Sequence, residues 1–101
     1  MAVQHDARFF LSKKIGALSI SFIFETYSNL EEETIKGDGQ HLHAMLNIMG
    51  CETASHRGII NSVRENLVEK VQDASYQNKS SLEKAQDFYG VVENNTSQCK
   101  A

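Results

Sequence analysis

Residues 29–51, NLEEETIKGDGQHLHAMLNIMGC, decide the fold that we predict for this chain. They predict a helix, a sharp corner at Gly37-Asp38-Gly39, and a second helix that ends near a glycine and a cysteine. Gly37 ends the first helix because it adopts a positive φ without a Cβ penalty, and Lys36 suits the negative end of the helix dipole. Asp38 is the expected N-cap of the second helix, since its carboxylate can accept backbone N–H bonds.

The second helix has one apolar face and one polar face. Leucine and methionine recur at the i, i+3, i+4 and i+7 positions, as Leu42, Met45, Leu46 and Met49, and Gly50 follows as the expected end. This spacing favours a core position for both methionines. The alternative is that Met45 and Met49 belong to an adaptable binding groove, since methionine repacks easily.

Two interpretations of the corner remain open. Free N–H groups at a helix start attract anions, so Gly37, Asp38, Gly39 and the nearby His41 are candidates for a ligand-binding site. The more ordinary interpretation is a self-capped turn, in which the Asp38 carboxylate already occupies that position. A single Gly-x-Gly pattern is common in proteins and favours the second interpretation.

Upstream of the corner, residues 17–36 carry apolar residues at the helical period. Leu18, Ile20, Phe22 and Phe24 also alternate, so a strand over residues 17–24 is the alternative. Near the end of this helix, Glu32 and Lys36 are spaced to form an i, i+4 ion pair.

Downstream of the corner, two more helices are predicted. Residues 53–74 form a long helix that Thr53 or Ser55 can cap, and residues 76–79 form a polar loop. A capping box then begins the last helix at Ser80. Its inward stripe is Leu82, Ala85, Phe88, Tyr89 and Val92. We therefore predict an all-α fold of three to five helices, packed as a small bundle or an orthogonal array.

The 101 residues are expected to form one domain, with a disordered start at residues 1–6 and a polar tail at residues 94–101. Lys13 and Lys14 precede an apolar run, which resembles part of a secretory signal but lacks a small-residue cleavage site. Cys51 and Cys99 are either one disulfide or two free thiols, and the sequence leaves both open.

Composition and spacing disfavour several classes of function. A net charge of −3 and a low pI disfavour nucleic-acid binding, and no apolar run is long enough to span a membrane. His41 and His43 are two residues apart and point in different directions on a helix, so we expect no metal ion and no cofactor. Ser55 and His56 are adjacent without a nucleophile-elbow pattern, and no catalytic residues or enzyme activity are predicted.

One set of residues is characteristic when taken together: Phe22-Ile23, Leu30, the Gly37-Asp38-Gly39 corner, Leu42, Leu46, Met49-Gly50, Val63 to Leu67 and Ser81 to Glu93. In these residues the sequence resembles a bacterial family of small exported proteins from Gram-negative bacteria, domain-of-unknown-function family three-zero-one-five. The resemblance covers roughly residues 21–93. The family's Gly- and Cys-rich segment before the first helix and its clear signal peptide are missing here. The resemblance implies a periplasmic setting and supplies no catalytic or binding residues.

Together these features lead to two hypotheses about function. The first is a non-enzymatic, exported or periplasmic helical module that binds another protein through an apolar groove beside the corner. The second is a small-ligand or anion-binding protein that uses the corner and His41. The sequence predicts no particular partner, ligand or oligomeric state.

Overall fold

The computed structural model describes the backbone of residues 3–99 and the side chains of residues 18–99. Within this part of the chain the regular structure is entirely helical, which makes the fold a small all-α bundle, as predicted. The elements in chain order are α1 (Val3–Lys36), α2 (Gln40–Ile48), α3 (Thr53–Gln72), a first 3-10 segment (Ala74–Asn78), α4 (Ser81–Thr96) and a second 3-10 segment (Ser97–Cys99).

Helix α1 is longer than the sequence pattern indicated. It begins at Val3, so the predicted start at residue 17 is wrong, as is the strand alternative for residues 17–24. A disordered start was expected for residues 1–6. Positions 3–6 belong to α1 instead, and Met1 and Ala2 lie outside the described residues. The helix is kinked at Thr26, where φ is −120° and ψ is 17°. The Thr26 hydroxyl donates to the Phe22 carbonyl at 2.7 Å, a back-bond that commonly accompanies a helix bend.

The core draws on all four α-helices. The stripe predicted for α2 is buried, and so are most of the predicted α4 residues, but Leu82 is exposed and does not belong to the core. Tyr89 is partly buried. The buried apolar cluster consists of Ile23, Leu30, Leu42, Met45, Leu46, Met49, Cys51, Ile60, Val63, Leu67, Ala85, Phe88, Val91 and Val92.

The segment after α3 is ordered around a buried tyrosine, so the predicted polar loop at residues 76–79 is wrong. Tyr76 is buried in the first 3-10 segment, and its hydroxyl lies 2.5 Å from the hydroxyl of Tyr27. The Glu31 carboxylate lies 3.3 Å from both hydroxyls. Since each hydroxyl has one hydrogen, one tyrosine donates to the other and the second donates to Glu31. Burial, together with the Tyr76 and Glu31 contacts, raises the pKa of Tyr27 far above its usual value. The pair fastens this segment to α1.

The predicted N-cap of α4 is confirmed, whereas the predicted N-cap of α3 is wrong. Ser80 caps α4 in a full capping box with Glu83, as predicted. Helix α3 begins at Thr53 after Glu52, whose side chain makes no capping bond, so the predicted cap by Thr53 or Ser55 is wrong. The Ser55 hydroxyl instead donates to the Glu52 carbonyl at 2.7 Å.

The expected polar tail is helical as far as it is described. Helix α4 continues to Thr96, which is fully buried, and the second 3-10 segment follows. The Asn95 amide donates to Asn66 on α3 at 3.0 Å, which ties the end of α4 to its neighbour. Lys100 and Ala101 lie outside the described residues.

Candidate functional site

The corner is built by a Schellman motif, as glycine at Gly37 predicts. Gly37 has a φ of +96°, its N–H donates to the Thr34 carbonyl at 3.1 Å, and the Asp38 N–H donates to the Glu33 carbonyl at 3.1 Å. The exposed Glu32–Lys36 ion pair predicted for the last turns of α1 is present, with the charged atoms 3.6 Å apart.

Glu33, rather than Asp38, caps the start of α2. One oxygen of its carboxylate accepts from the Leu42 backbone N–H at 3.0 Å, and the other lies 2.6 Å from His41 Nδ1. Gly39 precedes the helix and no side chain of its own turn caps it, so the predicted Asp38 N-cap is wrong. A carboxylate from the preceding helix therefore supplies the negative charge that a helix start favours.

Gly39 is required by space and not by its backbone angles. Its φ of 165° lies in extended backbone that any residue adopts. A Cβ placed on it would collide with the Glu33 side chain, and the bonds from His41 and Leu42 hold that side chain in place. Glycine at position 39 thus lets the Glu33 carboxylate reach α2.

The Glu33 carboxylate is held in its charged form. Burial alone raises the pKa of Glu33, but the hydrogen bonds from His41 and the Leu42 N–H outweigh it, and the pKa lies below its usual value. An incoming anion at the first turn of α2 would meet this carboxylate. The geometry therefore does not favour the anion-binding hypothesis at Gly37, Asp38, Gly39 and His41.

Asp38 begins a chain of polar contacts that runs into the core. Its Oδ1 lies 2.7 Å from His43 Nε2, and His43 Nδ1 lies 2.7 Å from His56 Nδ1. His56 is 2% exposed, and its Nε2 lies 3.2 Å from the Cys51 carbonyl oxygen. The hydrogen bond from His43 lowers the pKa of Asp38, and nearby Arg57 adds to the shift.

The end of α2 brings the two cysteines into reach of each other. Gly50 ends the helix with a φ of +82°, and the Cys51 N–H donates to the Leu46 carbonyl at 3.0 Å, a second Schellman motif. Cys51 and Cys99 are joined, with 2.06 Å between the sulfur atoms and 4.7 Å between the Cα atoms. The sequence allowed either one disulfide or two free thiols, and in the structure the two cysteines form a disulfide.

The two methionines proposed for a binding groove are not on a surface. Met45 is 1% exposed and Met49 is 4% exposed, so the core interpretation is the one that the structure supports. A groove beside the corner that uses these side chains is therefore excluded. His41 is half-buried and its ring lies 6.5 Å from that of Phe22.

An apolar surface does exist, but it lies between α1 and α4. Ile20 and Phe24 are exposed one turn apart on α1, and we call these two residues the apolar strip. Leu18 is also exposed, but it lies on a different side of the helix. Beside the strip is a groove of about 160 Å³, lined by Ile20, Ile23, Phe24, Ala85, Gln86 and Tyr89. The sequence carries a sign of this surface, because Leu18, Ile20, Phe22 and Phe24 alternate and one face of a helix cannot bury all four.

A second groove, of about 440 Å³, lies between α3 and the end of α4. Its lining carries no titratable side chain, so it offers no acid or base for catalysis. The lining residues are Ala54, Ser55, Gly58, Ile59, Ser62, Asn94, Asn95, Ser97 and Gln98.

Two wider properties bear on the site. In the part of the chain that the structure describes, no helix is both long enough and apolar enough to cross a membrane. Among the same residues, no group of three or more histidine, cysteine or acidic side chains is placed to hold a metal ion.

The comparisons with known proteins identify the family. Residues 12–99 match the model of the family described as "Protein of unknown function (DUF3015)", which extends the predicted resemblance toward both termini. Searches among curated proteins and solved structures found no match. Because the family model covers well over half of the sequence, the chain belongs to the DUF3015 family.

Proposed function

We propose that the protein is a non-enzymatic, exported helical module that binds another protein through the apolar strip and the adjoining groove. The observation that carries this proposal is the exposure of two apolar side chains that lie one helical turn apart beside the groove, Phe24 at 42% and Ile20 at 38%. Covering such side chains is favourable by about 25 cal/mol per Å² of apolar area removed from water.

The groove suits protein side chains better than a small ligand. Its volume of about 160 Å³ is smaller than the roughly 300 to 1,000 Å³ of typical small-molecule sites. Its floor is apolar, formed by Ile23 and Ala85, and aromatic rings of Phe24 and Tyr89 stand at its sides. An amphipathic partner helix presents apolar side chains three and four residues apart, which is the usual way that such grooves are filled.

Export is supported by the Cys51–Cys99 bond. Disulfides persist in oxidising compartments such as the bacterial periplasm and are rare in the cytosol. A periplasmic location also agrees with the expectation drawn from the family resemblance. We therefore propose that the partner is met after export.

Photo-crosslinking in the native host tests the proposed surface. A photoreactive amino acid replaces Phe24 in one variant and Ile35 in a control, because Ile35 is exposed to a similar extent on the same helix but lies outside the groove. We expect a discrete heavier product from position 24 and none from position 35. The proposal is wrong if the two positions give the same products or none, or if the product is two copies of this chain.

A further inference from the structure

Hydrogen bonds link Asp38 to His43, His43 to His56, and His56 to the Cys51 carbonyl. These contacts determine which ring nitrogens of the two histidines carry hydrogen. Both ends of this chain of contacts are acceptors, since a carboxylate and a backbone carbonyl have no proton to donate. The Nε2 atoms of His43 and His56, at 2.7 Å and 3.2 Å from those acceptors, must therefore each carry a hydrogen. Asp38 is charged near neutral pH because its pKa is lowered.

The contact between the rings requires one more proton. The two Nδ1 atoms are 2.7 Å apart, which is a hydrogen-bond distance and closer than two stacked ring faces can approach. The ring planes differ by 27° and the centroids are 4.9 Å apart, as expected for rings that meet edge to edge. One Nδ1 must donate and the other must accept, so the two rings share three N–H protons.

Three protons on two imidazoles mean one imidazolium and one neutral ring. The charge belongs on His43, whose side chain is 40% exposed and faces the Asp38 carboxylate. His56 is buried, and an unpaired charge there would be costly. Arg57 faces Asp38 from α3, while Glu33 on α1 is taken up by His41 and the Leu42 N–H.

We infer that His43 and His56 form a proton-sharing pair, with the imidazolium on His43, that holds α2 against α3. With both rings charged, two N–H groups face each other at 2.7 Å. With both rings neutral, one of the three contacts (to Asp38, between the rings, or to the Cys51 carbonyl) lacks a hydrogen. This inference does not depend on the proposed partner surface, which lies between α1 and α4.

Nitrogen NMR of the full-length, histidine-labelled protein tests the proton count directly. At pH 7 we expect one ring with both nitrogens protonated, assigned to His43, and His56 neutral with its hydrogen on Nε2. Two neutral rings or two charged rings at this pH would overturn the inference. This measurement uses the unaltered chain, so it does not depend on whether a variant folds.

Discussion

At the scale of single residues, the corner shows how a carboxylate distant in sequence from the helix start can replace the expected cap. Asp38 is in a suitable position to cap α2, but its carboxylate bonds to His43 instead. Glu33 reaches the Leu42 N–H across the turn, a contact that depends on the angle at which α1 meets α2. Gly39 permits this approach by leaving its Cβ position empty.

Replacing Gly39 with alanine should therefore dislodge Glu33 from the start of α2. We expect the free energy of unfolding to fall by about 1 kcal/mol, the usual effect of losing a helix cap. Urea denaturation measures this change. Gly58→Ala is the control, because a Cβ there meets no atom within 4 Å and alanine should stabilise α3 by roughly 0.5–1 kcal/mol. Equal effects at the two positions would contradict the role given to Gly39.

Several features that depend on neighbouring residues in the sequence were predicted correctly. Features that depend on contacts between different helices were not. The positive φ at Gly37 and Gly50, the Glu32–Lys36 pair and the Ser80 capping box all depend on neighbours within a few residues, and all are confirmed. The pairing of His43 with His56 joins positions on different helices. No spacing rule places these two rings together, so sequence analysis missed them.

At the scale of elements, α1 carries more apolar residues than one face can bury. Ile23 and Leu30 lie in the core, and the apolar strip remains outside. The alternating pattern that suggested a strand is thus explained by a helix with apolar residues on two faces.

Helix α4 offers a direct test of element stability through its capping box. Ser80 accepts from the Glu83 N–H and Glu83 accepts from the Ser80 N–H, which satisfies two otherwise free donors. Ser80→Ala should lower the free energy of unfolding by about 1 kcal/mol. Ser81→Ala, one position later and inside the helix, should change it by less than about 0.5 kcal/mol. The box contributes nothing to stability if the two variants unfold at the same urea concentration.

The elements that were predicted poorly are those fixed by partners far along the chain. The first 3-10 segment is ordered because Tyr76 meets Tyr27 on α1. The end of α4 is ordered because Asn95 bonds to Asn66 and Cys99 bonds to Cys51. Both stretches are polar in sequence, and polar composition alone predicts a loop.

At the scale of the whole molecule, the Cys51–Cys99 bond closes the bundle. It joins the end of α2 to the last described residue across a separation of 48 residues. In the chain-entropy model, closing a loop of that length stabilises the fold by about 4 kcal/mol. That is a large part of the 5–15 kcal/mol that a typical folded domain has in total.

The fold class and the family were predictable from sequence, whereas the groove beside the apolar strip was not. Helical periodicity and the corner were sufficient for the first two. The groove between α1 and α4 depends on how two helices distant in sequence pack together. The methionines first considered for a groove instead fill the core.

We propose an exported helical module whose fold is closed by the Cys51–Cys99 bond. The most direct test is the intact mass of the protein taken from its native host and alkylated without reductant. We predict a mass lower by two hydrogen atoms than that of the reduced chain, with no alkyl group attached. Two alkylated cysteines would contradict both the closed fold and the proposed oxidising compartment.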